Sequence, residues 1–154
     1  DRLFNSFDDH GFYPFYQGDK SFAYVANYGH GMATHEHVRA YRAWAAHCFW
    51  GRPITRLTAM GTVEQGELKV SAIVQSQSEI TELRLLYCFK KGARFNDAKD
   101  RYKSLPMKRV GNGGYWKAAL PSDREVYWYV EARDRAQGFE SIATTLLKRT
   151  QRNR

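Results

Sequence analysis

Two hydrophobic rhythms divide the chain near Pro53. In the first part, Ser21-Phe22-Ala23-Tyr24-Val25-Ala26 is a short apolar run that ends in Asn27-Tyr28-Gly29-His30-Gly31. A strand too apolar to alternate is what a sheet buried on both faces requires. From Thr34 to Trp50 the period turns helical. Val38, Tyr41, Ala45 and Cys48 recur at i, i+3, i+7 and i+10, while Arg39, Arg42 and His47 fall elsewhere on the wheel. Thr34 is a helix N-cap residue type, and Gly51 followed by Pro53 is a stop signal. Residues 1–20 mix aromatic residues with Asp8, Asp9, Gly11, Pro14 and Gly18, which predicts a loop with one or two helical turns.

After Pro53 the period becomes two. Leu68, Val70, Ala72 and Val74 alternate with Lys69, Ser71 and Ile73; Val126, Trp128, Val130 and Ala132 alternate with Tyr127, Tyr129, Glu131 and Arg133. Gln65-Gly66, Lys91-Gly92, Asn112-Gly113-Gly114, Pro121-Ser122-Asp123 and Gln137-Gly138 punctuate the runs. Seven strands are predicted, over 54–63, 67–76, 79–90, 100–110, 114–120, 124–134 and 139–149. Short strands with one apolar and one polar face predict an antiparallel β-sandwich of Ig-like or fibronectin type III-like size. The chain is therefore expected to be mainly β, with residues 1–53 and 54–154 forming two units.

Charge marks the same boundary. Residues 1–53 hold five acidic and five basic residues, so 54–154 carry the entire net charge of +8. Such a surface admits an anionic partner, for which polysaccharide is a candidate. The bases are scattered, which equally suits a plain solvated face, and no nucleic-acid motif accompanies them. No apolar run approaches a membrane span. Two cysteines, Cys48 and Cys88, are too few for a disulfide framework or a zinc site. They read as two small buried residues or as one bridge.

The run Gly18-Asp19-Lys20-Ser21-Phe22-Ala23-Tyr24-Val25-Ala26-Asn27-Tyr28-Gly29-His30-Gly31 resembles the last strand and histidine loop of the serine α/β-hydrolase fold. A -Pro-Asn-x-x-His- version recurs in secreted acyl esterases, peptidases and the PhoPQ-activated protein family; Ala26 stands here where the proline is usual. The resemblance implies that His30 is the catalytic histidine. It also implies an acid roughly thirty residues upstream, in the chain order serine, acid, histidine. Asp1 precedes His30 by 29 residues, and Asp1-Arg2-Leu3-Phe4 is similar to the start of that acid loop. Asp8 and Asp9 are rivals. Some of these hydrolases carry a C-terminal Ig-like domain, whose late strands 114–121 and 127–134 resemble. A secreted or periplasmic location is implied by the resemblance alone.

None of the eight serines (6, 21, 71, 76, 78, 104, 122, 141) sits in a Gly-x-Ser-x-Gly nucleophile elbow. The chain is accordingly expected to be a fragment, partnered by an upstream hydrolase segment that supplies the serine. In the implied reaction that serine attacks the carbonyl of a small ester or peptide. His30 takes its proton and later donates it to the leaving group, and Asp1 orients the imidazole. Gly29 and Gly31 leave room around the ring. The plainer alternative for His30 is a histidine that caps a turn.

His35 and His37 flank Glu36 and, with His30 or His47, are candidate metal ligands. Residues two apart on a helix diverge, so no metal or other cofactor is expected. Trp44, Trp50, Tyr41 and Phe49 read as packing residues and Trp128 as core. Tyr115, Tyr127 and Tyr129 are candidates for a sugar-stacking platform. Two alternatives to the hydrolase remain: a basic, aromatic-rich binding module for polysaccharide or protein, and a structural or oligomerisation domain.

Overall fold

In the computed structural model, residues 35–89, 102–122 and 125–150 are described. They form helix α1 (His35–Trp50) and strands β1 (Arg56–Glu64), β2 (Glu67–Gln75), β3 (Glu79–Cys88), β4 (Lys103–Pro106), β5 (Lys108–Arg109), β6 (Tyr115–Pro121), β7 (Val126–Ala136), β8 (Phe139–Thr144) and β9 (Lys148–Thr150). The run Ser21–Ala26, the turn Asn27–Gly31, Thr34 and residues 1–20 lie outside the described residues.

Two antiparallel sheets enclose one core. The first has the order β1-β2-β6-β5; the second has the order β4-β3-β7-β8, with β9 also on β7. The period-two pattern fills the core from both sides. Leu68, Val70, Ala72 and Val74 of β2 meet Leu83 and Leu85 of β3 and Val126, Trp128, Val130 and Ala132 of β7. Two tight turns hold the register. Gln65-Gly66 and Gln137-Gly138 both take positive φ, at 52° and 76° and at 51° and 76°, as a two-residue type I′ hairpin requires. Each glycine tolerates this at no steric cost.

Trp128, 1% exposed, is the largest buried side chain, and its indole nitrogen donates to Thr150 Oγ1 at 2.7 Å. It fits because Gly61 faces it: a Cβ at Gly61 would stand 2.5 Å from Trp128 Cζ2 and 3.2 Å from Leu68 Cδ1. Gly61→Ala is expected to destabilise the sandwich by about 1–3 kcal/mol through overpacking, measured as a lower urea midpoint at unchanged slope.

Two predicted strands are broken. The run predicted over 100–110 is described from Tyr102 onward, and it changes sheets at Pro106-Met107. β4 pairs with β3 in the second sheet, whereas β5 pairs with β6 in the first. Pro106 has no N–H for a ladder and sits on an edge strand. Met107 donates to Leu83 O at 2.9 Å and is buried in the core as the chain crosses. The run predicted over 139–149 splits at a bulge. The register is Glu131↔Thr144 on one side and Trp128↔Lys148 on the other, a slip of one residue. Thr145 repairs the ladder: its amide donates to Val130 O at 2.9 Å, and its hydroxyl accepts from Val130 N at 3.0 Å. The count is therefore nine strands among the described residues, where seven were predicted.

Helix α1 lies against β8, and the stripe predicted from its period is not the face it buries there. Ala43 and Ala46 are buried, and Ala40, Trp44 and His47 half-buried, while Val38, Tyr41 and Cys48 are exposed. Small alanines let the helix axis approach the strand closely, which the bulkier stripe would prevent. The predicted stop holds. Gly51, at φ 67°, donates to His47 O at 3.0 Å and Arg52 donates to Ala46 O at 3.3 Å, satisfying carbonyls at the helix end.

Candidate functional site

The two residues singled out as catalytic, His30 and Asp1, lie outside the described residues, as do the rivals Asp8 and Asp9. The nearest described element is α1, whose first residue His35 follows His30 by five positions. What the structure describes is how that helix is held.

Its C-terminal end is pinned from within. The chain leaves α1 through Gly51 and turns the Arg52 side chain inward, where its guanidinium pairs with Asp134 of β7. Both residues are 3% exposed. Arg52 Nη1 also donates to Pro53 O at 3.0 Å, and His47 Nδ1 lies 2.7 Å from Arg52 O. A buried ion pair of this kind is held only if both members are present.

The N-terminal end is tied by a network on the outer face of the second sheet. Arg133 donates to Glu36 of α1 at 3.1 Å and to Glu131 at 3.1 Å, and its Nε lies 3.3 Å from Glu82. Arg84 completes the network with hydrogen bonds of 3.0 and 2.7 Å to Glu131. Partial burial holds the His37 imidazole below the ordinary histidine range, with Glu36 opposing the shift. The hydrogen bond from Arg135, together with the Arg39 charge, lowers the Glu140 carboxyl.

The opposite face of α1 carries exposed apolar side chains beside the exposed Arg42, and no described element packs on it. Phe49 is 77% exposed and Tyr41 67% exposed, and Val38 joins them. The Trp50 ring stacks on Phe139 at 6.2 Å between centroids. The two cysteines are not joined in a disulfide. Cys88 is buried as predicted, but Cys48 is exposed on this face, so neither the bridge nor the doubly buried reading describes the pair.

The tyrosines predicted as a stacking platform do not share a surface. Tyr129 is fully buried, edge-on to Tyr102 at 5.8 Å between centroids. Tyr127 belongs to the second sheet and has the Arg149 guanidinium 5.9 Å over its ring. Tyr115 belongs to the first sheet and has Lys117 Nζ 5.3 Å over its ring. The expectation of one polar face fails on β7 because it is a central strand with both faces covered. Glu131 is buried there under Arg84 and Arg133.

The outer face of the first sheet carries a groove of about 1020 Å³. Met60 and Ile73 lie on its floor, Val110 and Tyr115 close one end, and Lys69, Lys108 and Lys117 border it. Among the described residues no three His, Cys, Asp or Glu side chains converge as metal ligands. No described helix is long and apolar enough to cross a membrane. The chain matches no protein-family model and no curated protein.

Sequence reasoning missed the Arg52–Asp134 pair. One signal was available: Asp134 shares strand parity with the inward-facing Val126, Trp128, Val130 and Ala132. A carboxylate on a core face requires a cation. The groove was missed because its three lysines come from β2, β5 and β6, and only the sheet order brings them together.

Proposed function

We propose that this chain is the C-terminal part of a serine hydrolase acting on acyl esters or peptides. In this reading a serine upstream attacks the acyl carbon, His30 moves its proton, and Asp1 orients the ring. The sandwich fixes α1, which begins five positions after His30. One observation carries the reading: α1 has two packing faces. Its alanine face, with Trp50 at its end on Phe139, is seated on β8, and its second face presents Val38, Tyr41 and Phe49 to solvent. Exposed apolar patches of this kind mark interaction surfaces. In an α/β-hydrolase the helix after the histidine loop lies against the main sheet, so the uncovered face suits a catalytic body packed beside the sandwich.

In the same reading the sandwich is Ig-like, and its strand order supports this. Taking the broken runs as single strands, the first sheet reads A-B-E-D and the second reads D-C-F-G, so the order is that of constant-type Ig domains except that D crosses from one sheet to the other. It departs from antibody domains in having no disulfide between the sheets. Trp128 on β7, under Gly61, occupies the core instead.

The reading is tested on the polypeptide that includes the serine-bearing segment. A fluorophosphonate probe is expected to label a serine upstream of Asp1. Cys48, exposed in the present chain, is expected to react with iodoacetamide there and to be protected in the longer polypeptide, while Cys88 stays unreactive in both. Equal Cys48 reactivity in the two polypeptides, or no labelled serine, would count against the assignment.

A further inference from the structure

The groove on the first sheet lies on the outer side of β1, β2, β5 and β6, away from α1, and the hydrolase reading gives it no role. Register places its side chains in three cross-strand rows: Thr62, Lys69 and Ala119; Met60, Ser71, Lys117 and Lys108; Thr58, Ile73 and Tyr115. Val110 extends the third row, its amide bonded to Tyr115 O at 2.8 Å. Two features are costly for a face that meets only water. Met60 is 77% exposed, with Ile73 and Val110 also exposed beside it. Lys108 and Lys117 stand directly opposite each other, a like-charge pair that destabilises a sheet. Among the described residues no carboxylate lines the groove; Glu64 pairs with Lys69 at 3.0 Å from outside it.

We propose that this groove docks an acidic polypeptide segment in extended conformation, with carboxylates over Lys69, Lys108 and Lys117 and an apolar side chain over Ile73 and Val110. Charge complementarity selects an anion, and the apolar floor selects one that carries hydrophobic side chains. Geometry favours a polypeptide. Successive rows are two residues apart, about 6.8 Å, and an extended chain spaces its same-face side chains by the same distance. A sugar chain is a poorer fit. The Lys117 ammonium covers the Tyr115 ring, the Tyr115 hydroxyl bonds Ser71 at 3.1 Å, and no other aromatic ring among the described residues lines the groove. A second copy of this chain, itself carrying +8, would meet like charge.

The test uses the full chain and a fluorescein-labelled peptide of sequence Glu-Ser-Glu-Ser-Leu-Ser-Leu, read by anisotropy. Saturable binding is expected, weakened about tenfold or more when the two Glu become Gln, and similarly when the two Leu become Ser. The double variant Lys108→Gln/Lys117→Gln is expected to lose affinity by about the same factor while its thermal midpoint stays level or rises, since it removes a repulsive pair. Absence of saturable binding overturns the proposal. So does equal affinity of the double variant, or a heparin oligosaccharide that binds more tightly than the peptide and displaces it.

Discussion

Replacing His30 with alanine in the serine-bearing polypeptide is expected to lower kcat for ester hydrolysis by at least about 10³-fold with little change in KM. The serine hydroxyl is a weak nucleophile at neutral pH, and its proton must leave as the new bond forms. Without the imidazole no group accepts that proton or returns it to the leaving group. In the proposed reading the oxyanion hole and substrate contacts belong to the upstream segment and would be untouched, so residual turnover well above the uncatalysed rate should persist. The labelling rate of the serine with fluorophosphonate should fall in parallel, because it depends on the same activation. A His30→Ala enzyme that retains normal kcat would return His30 to the role of a turn cap.

The same assay assigns the acid. Asp1→Asn is expected to reduce kcat by about 10⁴-fold by favouring the wrong imidazole tautomer, whereas Asp8→Asn and Asp9→Asn should leave it near wild type. If the large loss follows Asp8 or Asp9 instead, the histidine keeps its role and only its partner changes.

Much of the sandwich was legible because a half-buried strand writes its orientation in alternate residues. β2 and the core side of β7 were read correctly at the level of single side chains, and Gln65-Gly66 and Gln137-Gly138 fixed two hairpins. What alternation cannot register is a change of partner. The step of β4 into β5 keeps its period while the chain passes between sheets at Pro106-Met107. The bulge at Thr145 shifts the ladder by one residue, with a hydroxyl replacing the missing backbone group. For α1, the period revealed a helix and an apolar stripe, but the face that packs on β8 is a different one. The alanine face is nearly silent on a hydrophobicity scale because its contribution is close approach and not bulk. The candidate catalytic residues were legible only through a sequence resemblance, and they precede the first described residue.

Asp134→Ala is expected to cost about 3–5 kcal/mol, because it leaves the Arg52 guanidinium buried with no countercharge. For a chain of 154 residues this corresponds to a fall in Tm on the order of 10 °C. The loss should be local before it is global. Arg52 directly follows the Gly51 stop, so the cheapest relief is for Arg52 to swing into water and release the end of α1 from β8. Amide hydrogen exchange should therefore quicken along 43–50 at temperatures where β2, β3 and β7 remain protected. The double variant Arg52→Met/Asp134→Leu removes both charges, fills the site with apolar volume and is expected to recover most or all of the stability. Recovery would show that the pair determines where α1 sits more than it adds to net stability. If instead the single variant melts normally and 43–50 stays protected, α1 is held by its alanine face alone, and the sandwich would not need this ion pair to position the helix that follows His30.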